Sequence, residues 1–218
     1  MVRNITSLSM KSKVVIIDGI IASGKSYTLD LLDGKRICKL KEPVDLYTNF
    51  SWNGLTFNPL NEYYTNPALN GVGLQLHVID SLLSCMENVS HPFVVCERYI
   101  TSVEVFTQTM LEESFISDFM GAYIKSKTHE ALEKMKKKCE IIGVILLDTE
   151  VDTCLRRCIS RARKEELGFV DKTIMKNYMT KLRQNCISYY ENNFPSKLFV
   201  VKENDIEKVR NCIDKLSD

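Results

Sequence analysis

The chain has 218 residues, of which 44% are hydrophobic and 26% charged, and its formal net charge at pH 7 is +1. This length and composition fit one domain, residues 1–218, with a buried core. The nearly neutral charge creates no strong field for nucleic acid or for a membrane surface. Residues 1–13 are polar and lack the apolar stretch of a secretion signal, and no apolar run reaches membrane-spanning length. We therefore expect a cytoplasmic protein without a nucleic-acid or membrane partner.

Apolar strand patterns alternate with helical patterns along the chain. Strands are predicted at 13–18, 36–40, 93–96, 141–147 and 198–202. Helices are predicted at 24–32, 69–87, 101–125, 129–138, 151–165, 171–192 and 206–216, and residues 45–66 are expected to be loop or irregular helix. Continuous apolar strands separated by helices predict an α/β fold with a parallel sheet covered on both faces.

The first predicted strand runs directly into a phosphate-binding loop, the P-loop. The pattern comprises Gly19, Ile20, Ile21, Ala22, Ser23, Gly24, Lys25 and Ser26. Its glycines allow the backbone N–H groups to point at phosphate oxygens, and the following helix presents its N-terminus to the same anion. Lys25 can reach the outer phosphates, and the Ser26 hydroxyl can ligate Mg²⁺.

Two acidic positions follow predicted strands, where ligands bind in open α/β sheets. Glu42 comes just after the second strand and could accept a hydroxyl proton, although an exposed loop glutamate is the plainer interpretation. Glu97 and Arg98 end the third strand, where P-loop proteins carry a carboxylate that organises Mg²⁺. A surface ion pair is the alternative for these two.

Two further clusters suggest how a nucleotide and its acceptor could be held. Arg157, Arg161 and Arg163 could close over phosphates, or simply form a charged helix face. The Gln75 amide carries both donor and acceptor groups and could pair with a base edge, although a lone glutamine on a helix usually faces solvent.

Together these clusters resemble the deoxynucleoside kinases, the family of deoxycytidine, deoxyguanosine and mitochondrial thymidine kinases. The P-loop, Glu42-Pro43-Val44, Glu97-Arg98 and the arginine-rich segment through Glu166 occur in the family's order and spacing over nearly the whole chain. The resemblance implies a P-loop kinase fold with a five-stranded parallel sheet, in a homodimer. It also implies transfer of the ATP γ-phosphate to a deoxynucleoside 5′-hydroxyl, and feedback inhibition by a deoxynucleoside triphosphate. The compact connections suggest a large DNA virus as the source, in which case the location would be the host cytoplasm.

The resemblance also implies a role for each matching residue. Lys25 and the loop backbone would hold the donor phosphates, Ser26 and Glu97 would hold Mg²⁺, Glu42 would be the base and Arg98 would position the 5′-oxygen. Tyr64 and Glu166 would bind the 3′-hydroxyl, and Gln75 the base. A lid of about residues 157–168, with Arg157, Arg161 and Arg163, would cover the phosphates, and Asp205 would lie in the loop that contacts adenine.

Three positions bear on the choice of base. Family members that prefer deoxycytidine or purines carry a charged pair where this chain has Leu82 and Val103, and the third position is Val78. An apolar wall would accommodate the thymine methyl group, so we predict thymidine first and deoxycytidine second. The chain departs from the family at Tyr47, usually Trp, at Tyr99, and at Thr107, where a stacking Phe is expected but Phe106 stands one place early.

Two other functions compete with this one. A thymidylate kinase shares the P-loop, an acidic-Arg-Tyr segment and an arginine-rich lid, but its acceptor is already a phosphate and requires no base. A regulatory module that binds nucleotide without catalysis would not require Glu42 either. The combination of Glu42 with the Glu165-Glu166 pair favours the nucleoside kinase.

Overall fold

A computed structural model describes residues 11–166, 172–202 and 205–217. The predicted parallel sheet of five strands is confirmed, with residues 38–40, 93–97, 12–18, 139–148 and 198–202 side by side in that order. Its strands are β1 (Ser12–Asp18), β2 (Cys38–Leu40), β5 (Phe93–Glu97), β6 (Cys139–Asp148) and β7 (Leu198–Lys202). A separate antiparallel hairpin pairs β3 (Phe50–Trp52) with β4 (Leu55–Phe57).

The central strand β1 sets the position of the functional residues. Its apolar residues 14–17 are fully buried, because helices cover both faces of the sheet and form one hydrophobic core on each side. In the parallel register Ile17 lies beside Glu97 of β5 and Ile145 of β6. The carboxyl ends of these strands therefore meet at one edge, next to the loop that follows Asp18.

The helices around the sheet are mostly those that the sequence predicts. They are α1 (Lys25–Asp30), α2 (Val44–Thr48), α3 (Pro59–Thr65), α4 (Pro67–Glu87), α5 (Ser102–Glu112), α6 (Asp118–Lys136), α7 (Val151–Arg161), α8 (Lys172–Asn193) and α9 (Ile206–Ser217). The predicted break before residue 129 is wrong, because α6 is continuous. The break lies earlier, where Ser114 has φ +57° and the Ser117 side chain caps α6 by accepting from Met120 N.

Residues 44–65 are more ordered than the sequence pattern indicates. The sequence pattern indicates loop or irregular helix, whereas the structure has two short helices, α2 and α3, with the β3–β4 hairpin between them. Asn53 and Gly54 both have positive φ, +49° and +79°, which is the two-residue turn that the twist of a hairpin favours. The side chains of Trp52 and Leu55 are largely exposed, whereas Phe50 and Phe57 are partly covered by contact with each other, and Phe50 also with His77.

Candidate active site

A cavity of about 340 Å³ opens beyond the carboxyl ends of β1, β2 and β5. It joins two sets of residues. The phosphate side comprises the P-loop, Glu97 and Arg157, and the acceptor side comprises Tyr47, Tyr64, Gln75, Val78, Val103 and Phe106. Glu42 and Arg98 line the same cavity, as do Arg161, Arg163 and Glu166.

The P-loop wraps around the ammonium group of its own lysine. Lys25 Nζ donates to the carbonyl oxygens of Gly19 (3.1 Å) and Ile20 (2.9 Å). Burial and the nearby charge of Arg98 lower the pKa of Lys25. Only glycine fits at position 19. A Cβ there would lie 2.7 Å from the Leu147 carbonyl oxygen, and the backbone φ of +150° disfavours any other residue. Gly24 adopts φ +100° where it starts α1.

The Ser26 hydroxyl of the P-loop and the neighbouring Glu97 carboxylate fit a magnesium ion. Ser26 Oγ donates to Glu97 Oε1 at 2.7 Å, and Glu97 is buried at the end of β5. Mg²⁺ in nucleotide sites takes one or two protein oxygens and completes its shell with phosphate and water. No group of three or more His, Cys, Asp or Glu able to hold a metal occurs in the described part of the chain. Phosphate oxygens and water molecules would supply the remaining ligands.

Arg98 lies between two carboxylates. Its Nε donates to Glu42 Oε2 at 3.0 Å, and its Nη1 lies 3.5 Å from Asp18 Oδ1. Arg98 has φ +62°, an uncommon conformation for arginine, and its backbone N–H donates to the Ile17 carbonyl. The two carboxylates raise the pKa of Arg98 against the effect of burial, so it remains charged. Glu42 is thus held at the cavity by a buried cation.

The acceptor side has an apolar wall and one buried amide. Val78, Val103 and Gln75 line the cavity, and Gln75 is 4% exposed. Leu82, the third predicted wall position, is buried in the hydrophobic core and does not line the cavity.

The structure also separates Phe106 from Thr107. Phe106 faces the cavity, and its ring centroid lies 4.8 Å from the Arg98 guanidinium carbon. Thr107 is buried away from the cavity and donates to the Val103 carbonyl at 2.7 Å. Of this pair, Phe106 is therefore the residue that presents an aromatic ring to the cavity.

Tyr47 lines the cavity at the start of the acceptor side. Its side chain is 3% exposed, and its hydroxyl has no hydrogen-bond partner among the residues that the structure describes. Burial is the main cause that raises the pKa of Tyr47, followed by the negative charge of Glu42, so the hydroxyl stays protonated. A protonated hydroxyl can act as a donor.

Two of the three lid arginines bind the glutamate that follows them. Arg161 Nη2 lies 2.5 Å and Arg163 Nη1 3.2 Å from Glu166 Oε1, while Arg157 Nη1 donates to the Ser23 carbonyl at 3.3 Å. The predicted helix over 151–165 is too long, because Ala162 at φ +50° ends α7 at Arg161. The resulting turn brings Glu166 back against Arg161. Residues 167–168 of the predicted lid lie outside the described residues.

Tyr64 and Glu166 come from distant parts of the chain and line the same cavity. Burial raises the pKa of Tyr64, and the charge of Glu166 raises it further, as expected of two neighbouring groups. Asp205 is elsewhere. It is exposed, does not line the cavity, and accepts a hydrogen bond from the backbone N–H of Lys208 at the start of α9.

The sequence of this chain is similar to those of known proteins. The family model for deoxynucleoside kinases matches residues 15–217. The chain belongs to the deoxynucleoside kinase family. It is 27% identical over 169 residues to a protein of fowlpox virus named probable deoxycytidine kinase; the match covers 73% of this chain and 66%, just under two thirds, of the fowlpox protein.

Some residues of this family member could not be identified from sequence patterns. Asp18 accepts a hydrogen bond from the Gly19 N–H at 2.7 Å. The only hint of its role in the sequence is that it directly precedes the P-loop. Tyr190 on α8 donates to Asp18 Oδ2, although 172 positions separate the two residues. In the described ranges no helix is both long enough and apolar enough to cross a membrane.

Proposed function

We propose that this chain transfers the γ-phosphate of ATP to the 5′-hydroxyl of a pyrimidine deoxynucleoside, thymidine before deoxycytidine. One observation carries the proposal: the Glu42 carboxylate lies in the same cavity as Lys25 and Ser26, held there by Arg98. A hydroxyl acceptor must lose a proton, and a carboxylate beside the phosphate site can accept it. An acceptor that is already a phosphate would be repelled by that carboxylate.

The chemistry then divides between the two sides of the cavity. When bound, Mg²⁺ on Ser26 and Glu97 would neutralise phosphate charge. Lys25 and the lid arginines would bind the phosphates, and closure of the lid would exclude water. Arg98 would orient Glu42 towards the acceptor hydroxyl.

The acceptor side supports a pyrimidine. Val78 and Val103 offer apolar contact to a thymine methyl group, and the Gln75 amide can pair with the ring edge of either pyrimidine, since it carries a donor and an acceptor. The name of the fowlpox relative supports deoxycytidine as an acceptor. These two observations point to different bases, and a direct comparison of rates decides between them.

The decisive experiment measures phosphoryl transfer from Mg²⁺–ATP to thymidine, deoxycytidine, deoxyguanosine, deoxyadenosine and dTMP in parallel. We expect the highest kcat/KM with thymidine and a lower value with deoxycytidine. Deoxyguanosine as the best substrate would refute the pocket interpretation. Product from dTMP alone would identify a monophosphate kinase and remove the role of Glu42.

Two regulatory and structural properties belong to the same proposal. A deoxynucleoside triphosphate such as dTTP would place its nucleoside on the acceptor side and its phosphates on the P-loop, and should compete with both substrates. Inhibition kinetics against ATP and thymidine test this. A homodimer is supported by Leu69 on α4 and Phe119 on α6, which expose 75% and 78% of their surface on two helices that pack together. The mass in solution tests it.

A further inference from the structure

We propose that Asn58 is a positioning residue that joins the lid to α3 and so assembles the site for the sugar 3′-hydroxyl. The inference rests on the proposed function, and it concerns a contact outside the reacting groups. Asn58 Nδ2 donates to Glu165 Oε1 at 2.8 Å, across 107 positions of sequence.

Asn58 has a second role in the same place. Its Oδ1 accepts from the backbone N–H of Asn61 at 2.9 Å, so the side chain also caps α3. One amide therefore uses its oxygen to fix the start of α3 and its nitrogen to hold Glu165. The Asn58 amide is also the main cause that lowers the pKa of Glu165, so that side chain is an ionised acceptor at neutral pH.

Each end of this hydrogen bond adjoins one member of the Tyr64–Glu166 pair. Tyr64 lies on α3, the helix that Asn58 caps, and Glu166 is the residue after Glu165. Glu166 is bonded by Arg161, Arg163 and Cys158, all of which belong to the lid side. Those contacts fix Glu166 within its own segment, whereas the Asn58–Glu165 bond connects that segment to α3.

Loss of the Asn58–Glu165 hydrogen bond should weaken binding of the sugar 3′-hydroxyl more than binding of the rest of the substrate. The expected signature is a fall in the preference for thymidine over 3′-deoxythymidine, which lacks the 3′-hydroxyl. General damage to the fold or to phosphate binding would lower kcat/KM for both substrates alike. The ratio of the two values therefore separates positioning from a purely structural role.

The test uses variants that keep the helix cap. In N58D the new carboxylate still caps α3 but repels Glu165. N66D is the matched control, because Asn66 caps α4 in the same way, accepting from Leu69 N at 3.1 Å, and is not bonded to Glu165. In N58D/E165Q the donor and acceptor are exchanged, so the hydrogen bond can form again with the same net charge.

We expect N58D to lower the thymidine preference about fivefold, the value of one ordinary hydrogen bond, mainly through KM for thymidine. N66D should leave the ratio unchanged, and N58D/E165Q should restore most of it. An N58D ratio equal to that of N66D, or an equal loss on both substrates, would overturn the inference. A wild-type protein that phosphorylates no deoxynucleoside would instead refute the proposed function, and this inference with it.

Discussion

The two sides of the cavity are built from different kinds of sequence information. The phosphate side is mostly local: eight consecutive residues, 19–26, shape the loop, Glu97 joins it through the register of two adjacent strands, and Arg157 is added from α7. The acceptor side draws on α2, α3, α4 and α5, and Glu165 contacts the start of α3 from 107 positions away in the sequence. A short motif therefore specifies where phosphate binds, while the choice of acceptor depends on how separate helices pack.

Glu42 lies where these two sides meet, and its substitution gives the largest expected effect. In E42Q the amide can still accept from Arg98 but cannot take the proton of a 5′-hydroxyl. We expect kcat to fall about 10²- to 10⁴-fold, with KM for ATP nearly unchanged. Steady-state kinetics with thymidine measure this.

Glu62 provides the control for that experiment. It is exposed in the first turn of α3 and does not line the cavity, so E62Q should behave as wild type. An unchanged kcat in E42Q would contradict the hydroxyl-acceptor mechanism and favour a monophosphate acceptor.

A smaller effect is expected on the acceptor side, where Phe106 and Thr107 can be compared directly. F106A should weaken binding of the nucleoside by about 1–3 kcal/mol, the usual value of stacking between a base and an aromatic ring. The loss should appear in KM for thymidine rather than in KM for ATP. T107V keeps the buried volume and should change these constants little. A larger effect in T107V than in F106A would mean that the helix presents the other residue to the base.

Which of Phe106 and Thr107 faces the cavity could not be predicted from sequence. Neighbouring helix positions differ by 100° in direction, so a one-residue offset changes which side chain faces the cavity. The P-loop and the strand ends carried no such ambiguity, since glycine conformation and strand pairing fix them. Leu82 illustrates the same point, because its spacing from Gln75 predicted a wall position and packing placed it in the core. The hairpin at residues 50–57 was missed although Asn53-Gly54 is a strong turn signal and apolar residues alternate with Ser51 and Thr56 on either side of it. Each strand has only three residues, which is shorter than the runs of four to eight from which a strand is normally recognised.

The smallest expected effect is one of stability, and it tests whether the acceptor side contains an unsatisfied polar group. Within the described part of the chain the Tyr47 hydroxyl is buried without a hydrogen-bond partner, and such a group costs about 1 kcal/mol or more. Y47F should therefore raise the free energy of unfolding by about 1 kcal/mol, or about 2–4 °C in Tm for a chain of this size. Thermal unfolding without nucleotide measures the change.

Tyr63 is the matched control for Tyr47. It lines the same cavity, but its hydroxyl has a hydrogen-bond partner, the Tyr178 hydroxyl at 3.1 Å. Y63F removes a satisfied hydrogen bond and should lower stability by a similar amount. Both variants lose one hydroxyl oxygen. If Y47F raises the Tm and Y63F lowers it, the effect depends on whether the hydroxyl has a hydrogen-bond partner and not on the loss of the oxygen atom itself. A lower Tm in both variants would mean that Tyr47 is bonded in solution, and that the acceptor side is as fully satisfied as an ordinary protein core.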